Sequence, residues 1–309
     1  MHKLIAGTRR SNLARIQTGI VIDQLSGLFP GLSIEEKIIA TRGDSILDSP
    51  LSRIGDKGLF TREIEQELLD GSIDFAVHSL KDIPTELPDG CIICSVLERE
   101  STDDVMVANP GMTLENLPSK ARVGTSSLRR IAQILHIRPD LAIRDIRGNV
   151  NTRVQKFERG EYDAIILAKA GMKRLKLENK IACTLDPDKW FYAVGQGAIA
   201  IEVRKGDGRV IEFMSLLDHP ETRCATDAER AFLKALGGGC QVPVGVRTTI
   251  RNDKIMLCGM VSGEDGNPFH TGEVGGQIDQ PVELGNALSE TLLKMGADSI
   301  LKSIRGQGV

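Results

Sequence analysis

The 309-residue sequence is poor in aromatic residues: Phe, Tyr and Trp together make up 4% of it, and it has one tryptophan. Proteins that bind single-stranded nucleic acid stack bases on aromatic side chains, so this scarcity argues against a base-stacking platform. The chain also has no apolar run of about 20 residues, the length that a membrane-spanning helix needs. We therefore expect neither a nucleic-acid partner nor a membrane partner.

Cysteine and histidine are also sparse. Six cysteines are scattered along the chain without the spacing of a disulfide framework, and five histidines show no metal-ligand spacing. Cys91 and Cys94 have a redox-like spacing, but they lie in an apolar strand with no second cluster. The sequence begins with a strand-like run and has no signal-peptide core, P-loop or strand-associated GxGxxG motif. These absences predict a cytoplasmic protein without a metal site.

Positive charge is concentrated in one segment. The whole chain has a net charge of −3, whereas residues 120–180 hold 15 Lys and Arg against 6 Asp and Glu. A nucleic-acid surface usually makes the whole domain basic. A basic segment inside an acidic chain therefore indicates a local site for an anionic small molecule.

Short apolar strands alternate with amphipathic helical stretches up to His219. This alternation predicts an α/β fold with mostly parallel sheets covered by helices. Beyond His219, a helical stretch, strand-like runs and a final helix over about 281–303 predict a smaller α+β domain. A chain of this length usually forms more than one domain.

The stretch VGTSSLRR at 123–130 places a Thr-Ser-Ser cluster between a strand and a helix. Backbone N–H groups, hydroxyl donors and the positive end of a helix together form an anion site. Arg129 and Arg130 in the first helical turn oppose the helix dipole, and such a conflict with a local rule indicates function. The alternative is that the hydroxyls cap the helix and the arginines are solvated.

Three further strand ends offer cations. Their candidate residues are Arg9 and Ser11 after the first strand, Arg147, Asn149 and Arg153 after LAIRDI, and Lys173 and Arg174 after DAIILA. The carboxyl ends of strands are where α/β folds bind ligands, and arginine binds carboxylates with two hydrogen bonds. Four such strand ends predict a ligand with several carboxylates or phosphates.

Two other stretches hold candidate site residues. AVHSLKDIP places Lys81 and Asp82 between an apolar strand and a proline turn. A carboxylate there can stabilise a developing cation or move a proton; the alternative is a salt bridge to Lys81 or to an arginine. His78 alternates into the apolar side of the strand, which favours packing over catalysis. In AVGQGAIAIE, Gln196 lies between two glycines, either as a polar ligand contact or in a tight inter-domain crossing.

The stretch LGGGCQVPVG at 236–245 isolates one cysteine. Three glycines remove side chains from one side of Cys240, and Pro243 stiffens the other side. A buried structural cysteine needs neither feature. The pattern therefore indicates a sulfur that something bulky must reach, or to which something is attached.

Together these stretches resemble the porphobilinogen deaminase family over nearly the whole chain. The motifs are GTRRS, TRGD, GDKGLFTREIE, AVHSLKDIP, VGTSSLRR, IRGNVNTR, AVGQGAI and GGGCQVPVG. The resemblance implies two α/β domains of the periplasmic binding-protein type around a cleft, and a smaller α+β C-terminal domain. The implied boundaries are 1–97 with 198–215 for the first domain, 103–191 for the second and 220–309 for the third.

The resemblance also implies the chemistry. The family condenses four porphobilinogen molecules head to tail, with loss of ammonia, into hydroxymethylbilane, which hydrolysis releases. It does so as a monomer, on one dipyrromethane cofactor per chain, bound here through a thioether to Cys240. Asp82 is implied as the catalytic residue. The implied cofactor-binding residues are Lys81, Asp82, Thr125, Ser127, Arg129, Arg130 and Asn149. The implied substrate-binding residues are Arg9, Ser11, Arg147, Arg153, Arg174 and Gln196.

The segment from Arg53 to Phe60 is implied to act as a lid, with Arg53, Lys57 and Phe60 as its candidate residues. Arg53 stands where family members often have lysine, and Asp56 where glycine is common. Two alternatives compete with the enzyme. An anion receptor explains the strand-end arginines but not GGGCQVP or Asp82. A hydrolase with a cysteine nucleophile would need a positioned histidine base, for which no motif is evident.

Overall fold

A computed structural model describes residues 3–45, 58–237 and 242–306. The chain divides into two compact units. The first takes up 3–45, 58–100 and 195–223, and the second contains the other described residues. The predicted second domain, and the predicted third domain from Cys224 onward, thus fall within one unit.

The first unit is built on a five-stranded sheet with the strand order β2-β1-β3-β10-β4. Its strands are β1 (Lys3–Arg9), β2 (Ser33–Ile39), β3 (Phe75–Ser79), β4 (Cys91–Val96) and β10 (Ile199–Arg204). Its helices are α1 (Asn12–Leu28), α2 (Arg42–Ser45), α3 (Arg62–Leu69) and α7 (Gly208–Ser215).

Helices cover both faces of this sheet, so its central strands are continuous apolar runs. Along β3, Phe75 and Val77 pack with the apolar side chains of α1 and α7, whereas Ala76 packs with those of α3. This follows because successive side chains of a strand point to opposite faces. Both faces are therefore closed, and ligand-binding side chains are left at the strand ends.

The second unit contains a sheet with the same topology, in the order β7-β6-β8-β5-β9. Its strands are β5 (Asp104–Ala108), β6 (Arg122–Gly124), β7 (Ala142–Arg144), β8 (Ala164–Ala168) and β9 (Cys183–Thr184). Its helices are α4 (Leu128–Ile137), α5 (Val150–Glu158) and α6 (Lys169–Arg174). In each sheet the first three strands are parallel, and the fourth, β10 or β5, is antiparallel to both neighbours.

The prediction of mostly parallel sheets is therefore wrong for two of the four pairings in each sheet. A strand–helix alternation predicts parallel pairing only where a crossover helix joins sheet neighbours. Neither β5 nor β10 is joined to its sheet neighbours in this way, because long stretches of chain separate them. The α/β class itself is confirmed.

The C-terminal part of the second unit is an α+β domain, as predicted. It consists of α8 (Pro220–Ala235) from Cys224 onward, the antiparallel strands β11 (Val244–Arg251), β12 (Lys254–Ser262) and β13 (Phe269–Gln277), α9 (Pro281–Leu292) and α10 (Asp298–Gly306). The helix predicted over 281–303 is interrupted, because Gly296 adopts a left-handed φ of 105° between α9 and α10.

The segment from Trp190 to Val194 ties this α+β domain to the second sheet. Trp190 packs in the core of that sheet, whereas Tyr192 and Val194 pack in the core of the α+β domain. The backbone of Tyr192 exchanges two hydrogen bonds with Val246, each 2.9 Å long. No helix in the described ranges is long and apolar enough to span a membrane.

Candidate functional site

One pocket of the first unit brings together candidate residues from three stretches of the sequence. Arg9 is the last residue of β1 and Ser11 follows it, Phe60 precedes α3, and Asp82 ends a short 3-10 turn after β3; all four line the pocket. The guanidinium of Arg9 lies 4.1 Å from the ring centroid of Phe60. This cation–π contact holds a positive charge at the pocket wall.

Asp82 is exposed at this pocket. Among the residues that the structure describes, none forms a hydrogen bond or ion pair with its carboxylate. The described residues therefore do not support the alternative in which Asp82 forms a salt bridge with Lys81 or with an arginine. An open carboxylate beside a fixed cation can accept a proton or stabilise a positive charge on a ligand.

Gln17 is a pocket residue that the sequence analysis missed. It is 2% exposed, and its amide nitrogen lies 2.9 Å from the hydroxyl oxygen of Ser79; both residues line the pocket. Gln17 lies on the buried stripe of α1 with Ala14, Val21 and Leu25. The sequence pattern could have revealed this residue, because a glutamine among apolar residues at helical spacing indicates a buried polar contact.

In the second unit, Arg129 and Arg130 share one carboxylate. Asp104, the first residue of β5, accepts hydrogen bonds from Arg129 Nη1 at 2.9 Å and from Arg130 Nη2 at 2.7 Å. Arg129 Nη1 also donates to the carbonyl oxygen of Phe191 at 2.6 Å, and Arg130 Nη1 donates to that of Ile166 at 2.9 Å. Both arginines are buried, so the alternative in which they are solvated is wrong.

The electrostatics of this cluster are unbalanced. Burial by itself would raise the pKa of Asp104, but the charges of Arg129 and Arg130 outweigh it and hold that pKa well below its usual range. Burial lowers the pKa of Arg129, and Asp104 opposes the change. Two guanidinium groups share one carboxylate, which leaves one positive charge in excess. An anionic ligand group would balance it.

The sequence analysis also missed Asp104 and Trp190. The indole nitrogen of Trp190 donates to Asp104 Oδ2 at 2.8 Å. Asp104 is 1% exposed, and an acidic residue opening a strand of apolar residues was a signal that a buried partner exists. Trp190 gave no comparable signal, because nothing local marks its indole as a donor to a residue 86 positions away.

The three helices that follow β1, β6 and β7 differ in their capping. Ser11 Oγ accepts the amide of Ala14 at 3.3 Å, and Asn149 Oδ1 accepts that of Thr152 at 3.0 Å. Ser127, the N-cap residue of α4, makes no such side-chain bond. Of these three helices, α4 is therefore the one whose first backbone N–H groups a ligand oxygen can cap in place of a side chain.

The other candidates lie at strand ends or in the interior. Arg153 is half-buried, and its Nε donates to the carbonyl oxygen of Gly148 at 2.8 Å. Gln196 is fully buried between Gly195 and Gly197, both at positive φ. Thr125 is buried, and four candidates are half-buried: Lys81, Arg147, Arg153 and Arg174. Cys240, Arg53 and Lys57 lie outside the described residues.

Among the residues with described positions, no cluster has the composition of a metal site, and the five described cysteines are unpaired. Burial raises the pKa of Cys91 to about 12 and also raises that of Cys94. Both groups are therefore thiols at neutral pH, which makes them poor metal ligands and poor nucleophiles.

Fold and site together define a two-unit α/β protein whose strand ends offer fixed cations and an open carboxylate to an anionic ligand. Two family models match: porphobilinogen deaminase, dipyromethane cofactor binding domain, over residues 4–212, and porphobilinogen deaminase, C-terminal domain, over residues 223–294. The chain belongs to the porphobilinogen deaminase family.

Individual relatives agree with this assignment. Porphobilinogen deaminase of Roseiflexus castenholzii is 48% identical over 300 residues, covering 97% of this chain and 99% of the relative. That of Chlorobium chlorochromatii is 48% identical over 307 residues, covering 98% of each chain. Among solved structures, the methionine-binding protein MetQ aligns with 70% of this chain and 89% of its own at 10% identity and a TM-score of 0.45. A likeness this weak carries no argument.

The described residues fit the dipyrromethane cofactor of this family. Its acetate and propionate groups are anions, which match the excess charge of the Arg129–Arg130–Asp104 cluster and the uncapped start of α4. Gly245 supplies space beside that cluster: a Cβ there would lie 2.8 Å from Phe191 Cβ and 3.0 Å from Arg129 Cδ. The absence of a side chain at Gly245 therefore allows the start of β11 to lie close to Arg129.

Proposed function

We propose that Asp82 is the catalytic residue, and Cys240 the cofactor-attachment site, of an enzyme that condenses four porphobilinogen molecules head to tail, with loss of ammonia. Hydrolysis then releases linear hydroxymethylbilane, an intermediate of tetrapyrrole and haem biosynthesis. The observation that carries the assignment of Asp82 is its open carboxylate in the pocket that holds Arg9. When bound, the dipyrromethane supplies the terminal pyrrole whose free α-carbon attacks the first substrate, and each added unit supplies that carbon for the next.

The proposed cofactor-binding residues are Lys81, Asp82, Thr125, Ser127, Arg129, Arg130 and Asn149. Support comes first from the buried arginine pair, which Asp104 fixes in one orientation. A guanidinium that is already oriented loses little entropy when it binds a carboxylate. Asn149 has a second task, because its side-chain oxygen caps α5; its amide nitrogen is the group that we assign to the ligand.

The proposed substrate-binding residues are Arg9, Ser11, Arg147, Arg153, Arg174 and Gln196. Arg9 has the clearest support, because its contact with Phe60 holds a positive charge in the Asp82 pocket. Each porphobilinogen carries an acetate and a propionate, so every added unit brings two negative charges that cationic side chains must neutralise. Arg53 and Lys57 are proposed to add cations from the lid segment.

Asp82 acts on the positive charge that develops on porphobilinogen. As ammonia leaves, the substrate's methylene carbon and its ring nitrogen share a positive charge, which an adjacent carboxylate stabilises. Such preorganised charge typically lowers a barrier by about 3 kcal/mol. The same carboxylate can accept the proton that the attacking carbon loses.

We also propose that the enzyme works as a monomer in the cytoplasm, without nucleic-acid or membrane partners. The five described cysteines are unpaired, which suits a reducing compartment. The low aromatic content and the local character of the basic segment support a small-molecule ligand.

The intact mass of the purified protein tests the proposal, and Cys240→Ser is the variant that decides it. We expect the wild type to exceed its sequence mass by two linked pyrrole units and Cys240→Ser to have the bare mass. Cys258→Ser is the matched control, because this half-buried cysteine also lies in the C-terminal domain; it should keep the added mass.

Porphobilinogen should then add further pyrrole units to the wild type and release hydroxymethylbilane. A bare wild-type mass calls for incubation with porphobilinogen and a second measurement. A mass that stays bare after that, with no product formed, would overturn the proposal in favour of an anion receptor. An excess mass retained by Cys240→Ser would overturn the attachment site only.

A further inference from the structure

A buried pair of ionisable groups lies at the centre of the first sheet. His78 Nε2 is 3.1 Å from Glu202 Oε2, and the two side chains are 3% and 0% exposed. The strands β3 and β10 are neighbours, with Ala76 opposite Glu202 and His78 opposite Ala200. Because side chains alternate along a strand, His78 and Glu202 lie on the same face of the sheet, the one covered by α3.

Two further groups, Glu65 and Cys91, belong to this cluster. Burial raises the pKa of Glu65 on α3, and the charge of Glu202 raises it further, while His78 and Arg62 oppose the change. Burial raises the pKa of Cys91 to about 12, with additions from Glu202 and Glu65 and opposition from Arg204. Glu65 is thus biased toward its protonated form, and Cys91 is a thiol at neutral pH.

Stability gives no sufficient reason for this arrangement. A buried ion pair rarely stabilises a protein more than well-packed apolar side chains of the same volume do. The apolar core on this face of the sheet contains Ile64 and Leu68 from α3 together with Ala76 from β3, which shows that apolar side chains can fill the space there.

The cluster borders the pocket of Asp82. His78 and Thr61 line that pocket together with Asp82, and the carbonyl oxygen of Thr61 accepts the amide of Glu65 at 2.8 Å. The pocket therefore has an open carboxylate at its surface and a buried imidazole–carboxylate pair among its lining residues.

The reaction releases one proton per cycle, which such a second acceptor can take up. Porphobilinogen binds as an ammonium ion, and its C–N bond breaks with the electron pair leaving on ammonia. The α-carbon of the accepting pyrrole then forms the new C–C bond and loses its proton, and the C–H electron pair restores the aromatic ring. One proton must thus be removed in each cycle, and Asp82 must be charged again before the next substrate arrives.

We propose that His78, whose Nε2 lies 3.1 Å from Glu202 Oε2, takes the proton that Asp82 has accepted, directly or through one water, and passes it to bulk water. This inference rests on the proposed function and extends it. His78 and Glu202 act through Asp82, so they are positioning residues of a proton path and do not bind substrate. The sequence favours a packed side chain for His78, and in the structure the imidazole packs against the carboxyl group of Glu202.

Glu202→Gln and His78→Gln, measured as loaded enzymes, test the proposal. Glu202→Gln removes the charge and keeps the volume. Glu229→Gln is the matched control, because Glu229 is also fully buried but belongs to α8 in the second unit. We expect both test variants to keep the cofactor mass and the wild-type KM, and to lose at least about tenfold in kcat.

The decisive readout is the isotope effect on kcat with porphobilinogen deuterated at its free α-carbon. If the Asp82 carboxyl group loses its proton more slowly, that proton can return to the α-carbon of the pyrrole. The variants should therefore show a changed isotope effect and a shifted pH–rate profile. A merely structural role would change neither. If His78→Gln fails to fold, Glu202→Gln decides by itself.

Wild-type isotope effects and pH profiles in both variants, with kcat no lower than in Glu229→Gln, would overturn the proton path. That result would leave the proposed function intact, since the wild type would still carry its cofactor and turn over. A wild type without cofactor or product would instead refute the proposed function.

Discussion

The indole nitrogen of Trp190 and a guanidinium nitrogen of Arg129 donate to the same oxygen of Asp104, at 2.8 and 2.9 Å. Asp104 Oδ2 is therefore the point at which the arginine pair is joined to the segment that leads into the C-terminal domain. Trp190 is the only tryptophan of the chain. Its fluorescence consequently reports on this one cluster.

Asp104→Asn should lower the free energy of unfolding by about 3–5 kcal/mol, because it leaves two buried guanidinium groups without a counter-charge. Urea unfolding followed by Trp190 fluorescence measures the change, and the native emission should shift as the indole loses an ionised acceptor. Asp140→Asn is the control, since Asp140 is an exposed partner of Arg138, and it should leave stability nearly unchanged. Equal urea midpoints for the two variants would contradict the role of Asp104 as the buried counter-charge of the arginine pair.

The depressed pKa of Asp104 predicts how stability depends on acid. A carboxyl whose folded pKa is lowered stabilises the fold above its unfolded pKa of about 3.9 and loses that contribution as the pH falls through the folded value. The wild type should thus have a higher free energy of unfolding than Asp104→Asn at neutral pH and lose this difference only below about pH 4. Urea midpoints taken from pH 7 down to pH 3 check this, and a difference that varied between pH 5 and pH 7 would speak against it.

Glu65 should show the opposite pH dependence, because burial raises its pKa. A carboxyl whose folded pKa is raised contributes its stability below the unfolded pKa of about 4.3 and loses it as the pH rises through the folded value. Glu65→Gln should therefore gain stability relative to the wild type as the pH increases from 4 to 8. The same urea series measures it, and a flat difference across that range would refute the effect.

Gly245→Ala should destabilise the second unit and reduce cofactor loading. Its Cβ would meet Phe191 Cβ at 2.8 Å and Arg129 Cδ at 3.0 Å, and overpacking of this kind costs about 1–3 kcal/mol. Gly19→Ala in α1 meets no heavy atom within 4 Å and should stabilise the chain by about 0.5–1 kcal/mol. Urea unfolding and intact mass measure both effects. We expect the two substitutions to change the free energy of unfolding in opposite directions. A change in the same direction would contradict the packing of Gly245 against Phe191 and Arg129.

Asp82→Asn should separate activity from stability. With no partner among the described side chains, Asp82 contributes little to folding, so the unfolding free energy should stay within about 0.5 kcal/mol. The kcat of the loaded enzyme should fall at least about 100-fold. Asp89→Asn, another exposed aspartate a few residues on, should change neither quantity. Full activity in Asp82→Asn would remove Asp82 from its catalytic role.

Local patterns were enough to predict the elements and several site residues. Ser11 caps α1, as its position before an amphipathic run predicted. The strand ends with their arginines and the turn that carries Asp82 were also readable, because each depends on neighbours within a few residues; the role of Cys240 stays a prediction. A turn, a cap or a strand end is specified by short-range sterics and hydrogen bonds.

The tertiary structure decided the partners. Asp104 and Arg129 are 25 positions apart, Asp104 and Trp190 are 86 apart, and His78 meets Glu202 only because β10 is inserted beside β3 in an antiparallel register. No periodicity encodes such pairings, since they depend on strand order and on which side chains lose their water. The sequence by itself determined which charged groups stand at the strand ends. Folding determined which are neutralised in the interior and which, like Asp82, stay open to a ligand.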